Sequence, residues 1–556
     1  MNNSFKMKVI SSLEKVFLTD DFESKKEIKK ISVFKSEIIS FQIMYQFSGE
    51  INHTPLGIFK LKSEISDIIS VNQVVSVPSN MPVNPAKYDD YYLKVEPGLF
   101  PDLIMPIHYN GRINFSATYL SSLWVDITVP GDYEAGNYKA VFSVFDEQGD
   151  LLGEQSIEIE ICDVALPTYD FYHTEWLHCD CLAEYYNVEI NSDKYFEIVE
   201  NYIKNAVDNC INTVMIPIIT PPLDIYEGGE RKSTQLIKIT KSGDEYSFDY
   251  SLVDRFVEIC DRAGVSHLEI PPLFSQWGAK CAPVISAFED GKEKKIFGWD
   301  TLSDSHEYQG FLEQFLPSLI DYLKKKDRIN GCFFHISDEP ELKDLETYKK
   351  ATALVRKQLN GYTILDACWN VELYKEKILS TPAVSIGAVD DFFDAGAKDF
   401  WVYYCGGHYT EVSNRYLSQP SARTRIIGVQ MYKFAIKGFL HWGYNFYHNR
   451  WSYDIINPYL DTAGEFFAPS GDAFLVYPGD DFMPLNSIRI KQMRDAMQDI
   501  YILKLCEKLY GRDYVLKIID DGLEQTIDFK KYPHNDDYIV DLMKRVRMAI
   551  IEKSQS

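Results

Sequence analysis

The amino-acid sequence predicts a multidomain α/β plus all-β protein, with a (β/α)8 TIM barrel as its main part. Three observations support this prediction. The first 165 residues alternate apolar and polar side chains as β-strands do. After residue 166, apolar runs alternate with amphipathic helices, and the 556 residues suffice for several domains. We expect an N-terminal β-sandwich at 1–165, a barrel at 166–510 and a C-terminal helical cap packed on it at 511–556.

The strand character of the N-terminal domain is clearest near its end. There Glu158 and Glu160 alternate with isoleucines, the period of a half-buried strand. Helical periodicity is nearly absent from this part of the chain, so a β-sandwich is the expected architecture. Similar runs are ISVF (31–34), IISFQIMYQF (38–47), LWVDITV (123–129) and YKAVFSVF (138–145).

The barrel prediction depends on eight apolar runs separated by helical segments. The predicted strands are FYHTEW (171–176), TVMIPI (213–218), VSHLEI (265–270), NGCFFHI (330–336), YTILDA (362–367), VSIGAV (384–389), WVYYC (401–405) and FLHWG (439–443). The predicted helices are 193–210, 251–263, 306–325, 341–359, 371–379 and 420–437. We expect helix 487–509 to close the barrel and helices near 512–521 and 535–553 to form the cap. A doubly wound open sheet is the alternative for the same order of elements.

The composition limits the kinds of partner. Lysine and arginine number 57 against 82 aspartates and glutamates, a net charge of −25. Such a surface repels phosphate backbones and anionic lipid, so we expect no nucleic-acid or membrane partner. The N-terminus has no continuous apolar segment of the kind found in signal peptides, and the ten cysteines are scattered. A cytoplasmic location is therefore expected, and the oligomeric state stays open.

No metal site is expected from the sequence. Cys179 and Cys181 form a CxC pair with no second pair at zinc spacing. His441 and His448 stand seven residues apart and have no third partner at ligand spacing. His335 points away from the polar end of its strand if that strand is regular, so we expect a buried core histidine.

The carboxyl ends of the predicted strands carry the candidate site, because TIM-barrel active sites lie there. The residues at these ends are rich in aromatic rings and carboxylates and poor in lysine. Aromatic faces cover the apolar face of a pyranose while carboxylates and amides bind its hydroxyls, so a sugar site is indicated. The residues are Trp176, His178, Asp180, Gln276, Trp277, Asp338, Glu339, Asp366, Trp369, Asn370, Asp390, Asp391, Tyr403, Tyr404, His408, Trp442, Asn445, His448 and Trp451.

The most distinctive local feature is the segment HISDEPEL (335–342), in which an apolar strand ends in two adjacent carboxylates. Two anions side by side at an apolar strand end repel each other, so one should hold a proton and suit general-acid catalysis. The alternative is that Asp338 and Glu339 only cap the helix at 341–359.

The adjacency of the two acids also indicates a mechanism. Retaining glycosidases of the two-carboxylate type place the carboxylates about 5–5.5 Å apart on opposite sides of the bond, usually on different strands. Neighbouring residues of one strand tend to point to different sides, so they fit these roles poorly. In a 2-acetamido sugar the amide oxygen can itself attack the anomeric carbon and form an oxazolinium ion, with one carboxylate orienting the amide and the other protonating the leaving oxygen.

Taken together, several ordered motifs resemble glycoside hydrolase family 123, whose members include β-N-acetylgalactosaminidases with an N-terminal β-sandwich and a catalytic barrel. The resemblance spans most of residues 165–510. Its motifs are the turn Asp338-Glu339-Pro340, WVYYCGG (401–407), KGFLHWGYNFY (437–447), GDAFLVYPGDD (471–481) and SIRIKQMRDAMQDIYIL (487–503).

The resemblance implies a retaining, substrate-assisted mechanism on a glycan with terminal β-linked N-acetylgalactosamine. By position, Asp338 would orient the acetamido group and Glu339 would be the general acid and base. It implies no metal or organic cofactor.

Supporting substrate contacts are predicted with less specificity. Tyr403 faces inward if Phe400 and Val402 face the helices, and could bind the acetamido oxygen; a barrel-core tyrosine is the alternative. Trp442 is a candidate wall for the sugar ring, again with a core role as the alternative. Asn445, Trp369 and Asn370 are candidate hydroxyl or ring contacts.

The predicted function is removal of terminal β-N-acetylgalactosamine. The alternatives are a β-N-acetylhexosaminidase of broader specificity, a noncatalytic carbohydrate-binding barrel and a metal-dependent barrel hydrolase, the last disfavoured by only 11 histidines. The preference for galacto over gluco sugars follows from the resemblance alone, and the natural aglycone is not readable.

Overall fold

The computed structural model describes residues 4–48, 56–108, 110–115, 118–379 and 381–555. The chain forms two compact units. The first comprises Met1–Tyr169, Ser413–Phe434 and Leu485–Ser556, and the second comprises Asp170–Val412 and Ala435–Pro484. The domain boundaries at 165/166 and 510/511 stay a prediction.

The first unit contains two five-stranded sheets, as predicted for its N-terminal part. They share one apolar core, in which Phe41 of one sheet and Phe142 of the other lie 5.9 Å apart edge to face. The first sheet is antiparallel, in the spatial order Ser4–Ser11, Ile38–Ser48, Leu120–Thr128, Ile69–Ser79 and Gly98–Pro106. The second has one parallel pair at its edge and the order Lys30–Lys35, Leu151–Ala165, Gly136–Phe145, Leu56–Lys62 and Arg112–Asn114.

The α-helices of the first unit are held by a second apolar core and by buried ion pairs. Arg489 donates two hydrogen bonds to the carboxylate of Asp102, at 3.0 and 2.8 Å. Lys491 and Arg494 lie beside buried Asp126 and hold the pKa of its carboxyl well below the usual range. The helices are Ser421–Lys433, Ile488–Tyr510, Arg512–Asp520 and Asp536–Ser554.

The second unit contains the predicted barrel, closed by eight parallel strands. Trp401 stacks on Tyr172 at 5.2 Å and meets Phe333 edge-on at 4.9 Å, and Tyr403 belongs to the same interior cluster. The inward orientation expected for Tyr403 is confirmed, Trp401 faces the same interior, and the open-sheet alternative is wrong. The strands are Tyr172–Glu175, Thr213–Met215, His267–Ile270, Cys332–Phe334, Thr363–Cys368, Thr381–Ser385, Trp401–Tyr403 and Gly438–His441.

Helices and smaller strands fill the connections of this unit. Two helices match their predicted bounds because clear amphipathic periods and local signals mark them: Ser305 caps one by accepting from Tyr308 N, and Gly264 ends another at φ 84°. The helices are Cys179–Tyr185, Asp193–Asp208, Ser251–Ala263, His306–Lys325, Leu345–Gln358, Val371–Lys375 and Val389–Asp394. Further strands are Lys238–Ser242, Glu245–Asp249, Ile285–Glu289, Lys292–Phe297, Val476–Pro478 and Pro484–Asn486.

The sixth barrel strand differs from its prediction. It runs over Thr381–Ser385, and a 3-10 turn at Ile386–Ala388 and the helix Val389–Asp394 follow. The run VSIGAV therefore ends a strand and begins a helix, and Asp390 and Asp391 lie in the first helical turn instead of at a strand end. Among the described residues, none of the helices combines the length and apolar character that a bilayer crossing requires.

Candidate active site

The Asp338–Glu339 turn follows the fourth barrel strand, which is fully buried. Glu339 has a φ of 41°, in the left-handed region that a non-glycine residue adopts only at a free-energy cost of about 1–3 kcal/mol. The turn is fixed from the neighbouring loop, because Trp277 N donates to Asp338 O at 2.9 Å and Ser337 Oγ donates to Ser275 O at 2.8 Å. Such strain at a strand end is typical of a functional turn.

The alternative that these two acids cap the following helix is wrong. The α-helix begins at Leu345 and its N-cap is Asp344, while a 3-10 turn at Leu342–Asp344 precedes it. Asp338 and Glu339 lie before both elements, and both side chains are partly exposed.

A buried carboxylate on the next strand supports the turn. Asp366 Oδ1 accepts hydrogen bonds from Ile336 N at 2.8 Å and Ser337 N at 3.2 Å, and its Oδ2 accepts one from Tyr348 Oη at 2.9 Å. Burial raises the pKa of Asp366 to about 6 against the opposing effect of these donors. Asp366 therefore fixes the backbone that carries the two acids.

His335 is a core residue, as predicted. Its side chain is buried, and its Nε2 lies 3.1 Å from Glu269 Oε1. The other oxygen of Glu269 accepts from Thr174 Oγ1 at 2.6 Å. This chain of contacts joins three barrel strands beneath the turn.

The protonation of the acid pair is set by burial and by mutual repulsion. The pKa of Asp338 is raised well above its usual value, first by burial and then by the charges of Glu339 and Asp224. The pKa of Glu339 is also raised by burial, but the Tyr403 hydroxyl donates to Glu339 Oε1 and lowers it. Within the described residues, neither carboxylate forms an ion pair with lysine or arginine. The pair therefore takes up a proton more readily than isolated carboxyls do, and Asp338 takes it in preference to Glu339.

Tyr403 is held in place by a histidine. His408 meets its ring edge-on at 5.8 Å. His408 Nδ1 accepts from Cys405 N at 3.0 Å, which leaves the hydrogen on Nε2 to face Ser385 Oγ at 2.6 Å. Burial lowers the pKa of His408 to about 4, so the ring is neutral.

A further carboxylate, Asp224, lies on the loop after the second strand. Its pKa is raised to about 7 by burial, with smaller contributions from the charges of Asp472 and Glu339. Gln276 fixes its backbone, because the amide oxygen accepts from Asp224 N at 2.8 Å and the amide nitrogen donates to Ile225 O at 3.0 Å. The mouth of the barrel thus gathers acids from several loops.

Trp442 forms part of an aromatic wall after the eighth strand. Its Nε1 donates to Asp472 Oδ2 at 3.0 Å, and Phe446 and Phe467 meet its ring edge-on at 5.0 and 5.7 Å. The ring is partly exposed, so part of it can contact a ligand.

Asn445 is fully buried and is used by the backbone. Its Oδ1 accepts from His178 N at 2.8 Å and its Nδ2 donates to His178 O at 3.1 Å, so the amide joins the loops after the first and eighth strands. The predicted substrate contact of Asn445 stays a prediction, and in this structure both functions of its amide are occupied.

The two residues predicted after the fifth strand lie at or near the protein surface. Trp369 is 49% exposed. Asn370 caps the short helix Val371–Lys375, with its Oδ1 accepting from Glu372 N at 3.0 Å. The structure brings three predicted residues together: Tyr403 donates to Glu339, and Asp338 lies beside Glu339 and is repelled by it. Among the described residues, Trp369 and Asn370 form no hydrogen bond with any of these three.

One buried cluster has the residue types of a metal site. Ligand atoms of Asp180, Cys181 and His448 all lie within 4.8 Å of one another. Arg231 already binds both oxygens of Asp180, at 2.5 and 2.6 Å, and Cys181 Sγ lies 3.2 Å from His448 Nδ1. Because a guanidinium supplies the positive charge here, we interpret the cluster as a buried ion-pair network.

Sequence reasoning missed Asp224 and Arg231, both on the long loop after the second strand. No candidate residue was named after that strand. The signal for Asp224 is the sequence TPPLD (220–224), in which two prolines after the predicted strand indicate a loop and an acid follows them.

The family comparison matches more than half of the chain. The model of the catalytic domain of glycoside hydrolase 123 matches residues 176–506. A comparison with curated protein sequences finds no match.

Solved structures support the same fold. A family 123 glycoside hydrolase from Clostridium perfringens, described in terms of glycolipid glycan hydrolysis, aligns with a TM-score of 0.73 at 16% identity, covering 99% of each chain. The β-glucuronidase of Bifidobacterium dentium has a TM-score of 0.33 at 9% identity, covering 89% of this chain and 66% of its own. That of Parabacteroides merdae has a TM-score of 0.29 at 10% identity, covering 87% of this chain and 52% of its own. Both scores are too low to indicate a shared fold. By its sequence, this chain belongs to glycoside hydrolase family 123.

Proposed function

We propose that this glycoside hydrolase removes terminal β-linked N-acetylgalactosamine from glycans by a retaining, substrate-assisted mechanism. The observation that carries the proposal is the pair Asp338–Glu339, adjacent, uncompensated by any cation among the described residues, and carrying a raised pKa on both carboxyls. The similar enzyme from Clostridium perfringens, described in terms of glycolipid glycan hydrolysis, supports a glycan as substrate.

In the proposed first step, the acetamido oxygen attacks the anomeric carbon and the bond to the leaving oxygen breaks. Glu339 gives its proton to that oxygen, and Asp338 accepts a hydrogen bond from the acetamido N–H while positive charge spreads over the amide. In the second step, ionised Glu339 takes a proton from water as the water oxygen bonds to the anomeric carbon and the oxazolinium ring opens. Two inversions give net retention.

Substrate binding must transfer the proton from Asp338 to Glu339, because Glu339 acts as the general acid. Without substrate the proton is favoured on Asp338, because Tyr403 donates to Glu339 and stabilises its ionised form. An acetamido N–H placed against Asp338 would stabilise the ionised form of that residue instead. If the Tyr403 hydroxyl then turns to the acetamido oxygen, Glu339 loses its donor and its pKa rises. Both changes would place the proton on Glu339, the general acid, in the enzyme–substrate complex.

The aromatic wall supports a sugar ring at this position. Trp442 presents a partly exposed ring, fixed by its hydrogen bond to Asp472, and an aromatic ring suits the apolar side of a pyranose. We therefore assign the cleaved sugar to the space bounded by Trp442, Tyr403 and the acid pair.

The test is hydrolysis of chromogenic β-GalNAc, β-GlcNAc, β-galactoside and β-glucoside substrates. We expect turnover of β-GalNAc that is lost in Glu339→Gln and Asp338→Asn, whereas Glu346→Gln, at a side chain 80% exposed on the following helix, serves as the matched control. Equal cleavage of β-GlcNAc would favour the broader β-N-acetylhexosaminidase. Equal cleavage of the plain β-galactoside would contradict substrate assistance, because that sugar has no internal nucleophile.

A further inference from the structure

We propose that Arg231 is a positioning residue of the active site. It holds Trp442 of the aromatic wall through the imidazole of His178, and it acts on Asp224 through the backbone of their common loop and through its positive charge. This inference rests on the proposed function and deepens it, because it names the group that places two parts of the sugar site. We call Asp180, Arg231, His178 and the carbonyl of Trp442 the positioning chain.

The positioning chain begins with a two-point contact between Arg231 and Asp180. Nε and Nη2 of Arg231 donate to the two oxygens of Asp180 at 2.5 and 2.6 Å, and both side chains are buried. A guanidinium that binds one carboxylate through two parallel hydrogen bonds has a fixed plane. Asp180 lies in the first turn of the helix Cys179–Tyr185, so Arg231 is attached to a regular element and its remaining N–H groups point in defined directions.

The second link is the imidazole of His178, whose protonation follows from its neighbours. Nη1 and Nη2 of Arg231 lie 3.2 Å from Nδ1 and can only donate, so Nδ1 is the acceptor. The single hydrogen of the ring therefore lies on Nε2, which donates to the carbonyl of Trp442 at 2.8 Å. Burial, and after it the charge of Arg231, lowers the pKa of His178 to about 3, so the ring is neutral.

The chain of contacts ends at the backbone of Trp442. Asn445 fixes the backbone of His178, because its amide accepts from His178 N and donates to His178 O. The imidazole is therefore placed from two sides, by Asn445 on its backbone and by Arg231 on its ring. Without the ring contact, the Trp442 carbonyl loses its donor, and the indole is left with the hydrogen bond from Nε1 to Asp472. The fork of Arg231 thus sets how firmly the wall is held.

Arg231 also acts on Asp224, which lies on the same loop. Its Nη1 donates to Leu223 O at 3.2 Å, on the residue directly before Asp224. Burial raises the pKa of Asp224 to about 7, the charge of Arg231 opposes this rise, and the charges of Asp472 and Glu339 add to it. Arg231 therefore orients this part of the loop and favours the ionised form of Asp224.

The charge of Asp224 connects Arg231 to the acid pair. Burial raises the pKa of Asp338 first, and the charges of Glu339, Asp224 and Asp366 raise it further. Without the charge of Arg231, Asp224 holds a proton more readily and repels ionised Asp338 less, so the pKa of Asp338 falls. Arg231 thus has two separable actions, one through its planar fork and one through its charge.

Three variants separate these actions. Arg231→Lys keeps the charge and loses the fork. His178→Phe keeps the ion pair of Arg231 and removes only the link to the Trp442 carbonyl. Arg231→Gln combined with Asp180→Asn removes the charge, and it takes away both partners so that no buried charge is left unpaired. The measurements are the dissociation constant of free N-acetylgalactosamine by titration calorimetry and the kcat/KM–pH profile of a chromogenic β-GalNAc substrate.

The two actions predict different results. We expect Arg231→Lys and His178→Phe to weaken the binding of N-acetylgalactosamine about tenfold, equivalent to ~1.4 kcal/mol, and to leave the acid limb of the profile in place. The double variant should weaken binding to a similar extent and also move the acid limb to lower pH. In an Asp224→Asn background the same double change should move the limb no further, because the charge acts through Asp224.

Two arginines outside the positioning chain supply the controls. Arg489 binds both oxygens of buried Asp102 in the first unit, so Arg489→Gln breaks a buried pair of the same kind. Arg262→Gln breaks a partly exposed pair with Glu200 in the second unit and serves if the buried control does not fold. Both controls should keep the wild-type dissociation constant and acid limb.

Each result decides the proposal. Wild-type binding in Arg231→Lys and His178→Phe would overturn the positioning of Trp442, and His178→Phe alone decides this point if the variants at 231 do not fold. An acid limb that stays in place in the double variant, or that still moves in the Asp224→Asn background, would overturn the action through Asp224. Equal losses in the controls would indicate general destabilisation and contradict the proposal. If the wild type hydrolyses no β-GalNAc substrate, the proposed function fails first, and this inference fails with it.

Discussion

Replacing Asp366 tests whether a buried carboxylate positions the acid pair. Asp366→Ala leaves three buried donors without an acceptor, namely Ile336 N, Ser337 N and the hydroxyl of Tyr348. Each buried group left unpaired costs about 1–3 kcal/mol. Asp366→Asn is the matched variant, because its amide oxygen can still accept from the two backbone N–H groups.

The pH dependence of this cost follows from the raised pKa. The carboxyl of Asp366 has a pKa of about 6 in the folded protein against an ordinary 3.8. Its contribution to the free energy of unfolding therefore falls as the pH rises from 3.8 through about 6. As the pH falls below the folded pKa, the free energy of unfolding of the wild type rises by about 1.4 kcal/mol per pH unit until the ordinary pKa of 3.8 is reached. Removing the group should therefore destabilise the protein by ~1.4 kcal/mol more at pH 5 than at pH 7.

The assay is urea unfolding of wild type, Asp366→Asn and Asp366→Ala at pH 5 and pH 7, with kcat on β-GalNAc fluoride measured in parallel. We expect Asp366→Ala to lose at least about tenfold in kcat, equivalent to ~1.4 kcal/mol, and Asp366→Asn to keep most of it. Equal destabilisation of Asp366→Ala at the two pH values, or full activity in that variant, would refute the reasoning.

Three further substitutions have expected outcomes. Tyr403→Phe removes the donor that lowers the pKa of Glu339, so the alkaline limb of the kcat/KM–pH profile should move to higher pH. We also expect kcat to fall about tenfold or more. An alkaline limb that does not move would contradict this. Asp224→Asn removes a charge that raises the pKa of Asp338, so the acid limb of the same profile should move to lower pH, and a shift to higher pH would be the opposite of our expectation. Asn445→Ala leaves a buried backbone N–H and carbonyl unpaired and should cost about 2 kcal/mol or more in urea unfolding; an unchanged midpoint would show that the amide is dispensable.

The sequence was most informative where one local signal decided the outcome. The helices Ser251–Ala263 and His306–Lys325 were predicted with their observed bounds because amphipathic spacing and a terminal glycine or serine cap act over a few residues. The strand end that carries Asp338 and Glu339 was predicted for the same reason, because an apolar strand followed by two acids is visible in eight letters, and the catalytic role of the two acids stays a prediction.

Prediction failed where the outcome depends on distant parts of the chain. The run VSIGAV is apolar enough for a strand or a helix start, and only pairing with Thr363–Cys368 and Trp401–Tyr403 fixes the strand at Thr381–Ser385. The hydrogen bonds of Asn445 to the backbone of His178, 267 residues away, also depend on tertiary structure, and its predicted substrate contact stays a prediction. No local pattern reports either partner.

The central claim, that the substrate supplies the nucleophile, is tested most directly by changing the acetamido group. The measurement is kcat/KM for a series of β-galactosaminides with one leaving group and N-acetyl, N-fluoroacetyl, N-difluoroacetyl and N-trifluoroacetyl substituents. Each fluorine withdraws electron density from the amide oxygen, so our account predicts a steep, monotonic fall in kcat/KM across the series. A flat series would mean that the amide oxygen does not attack the anomeric carbon, and would contradict the assignment of Asp338 as the residue that orients it.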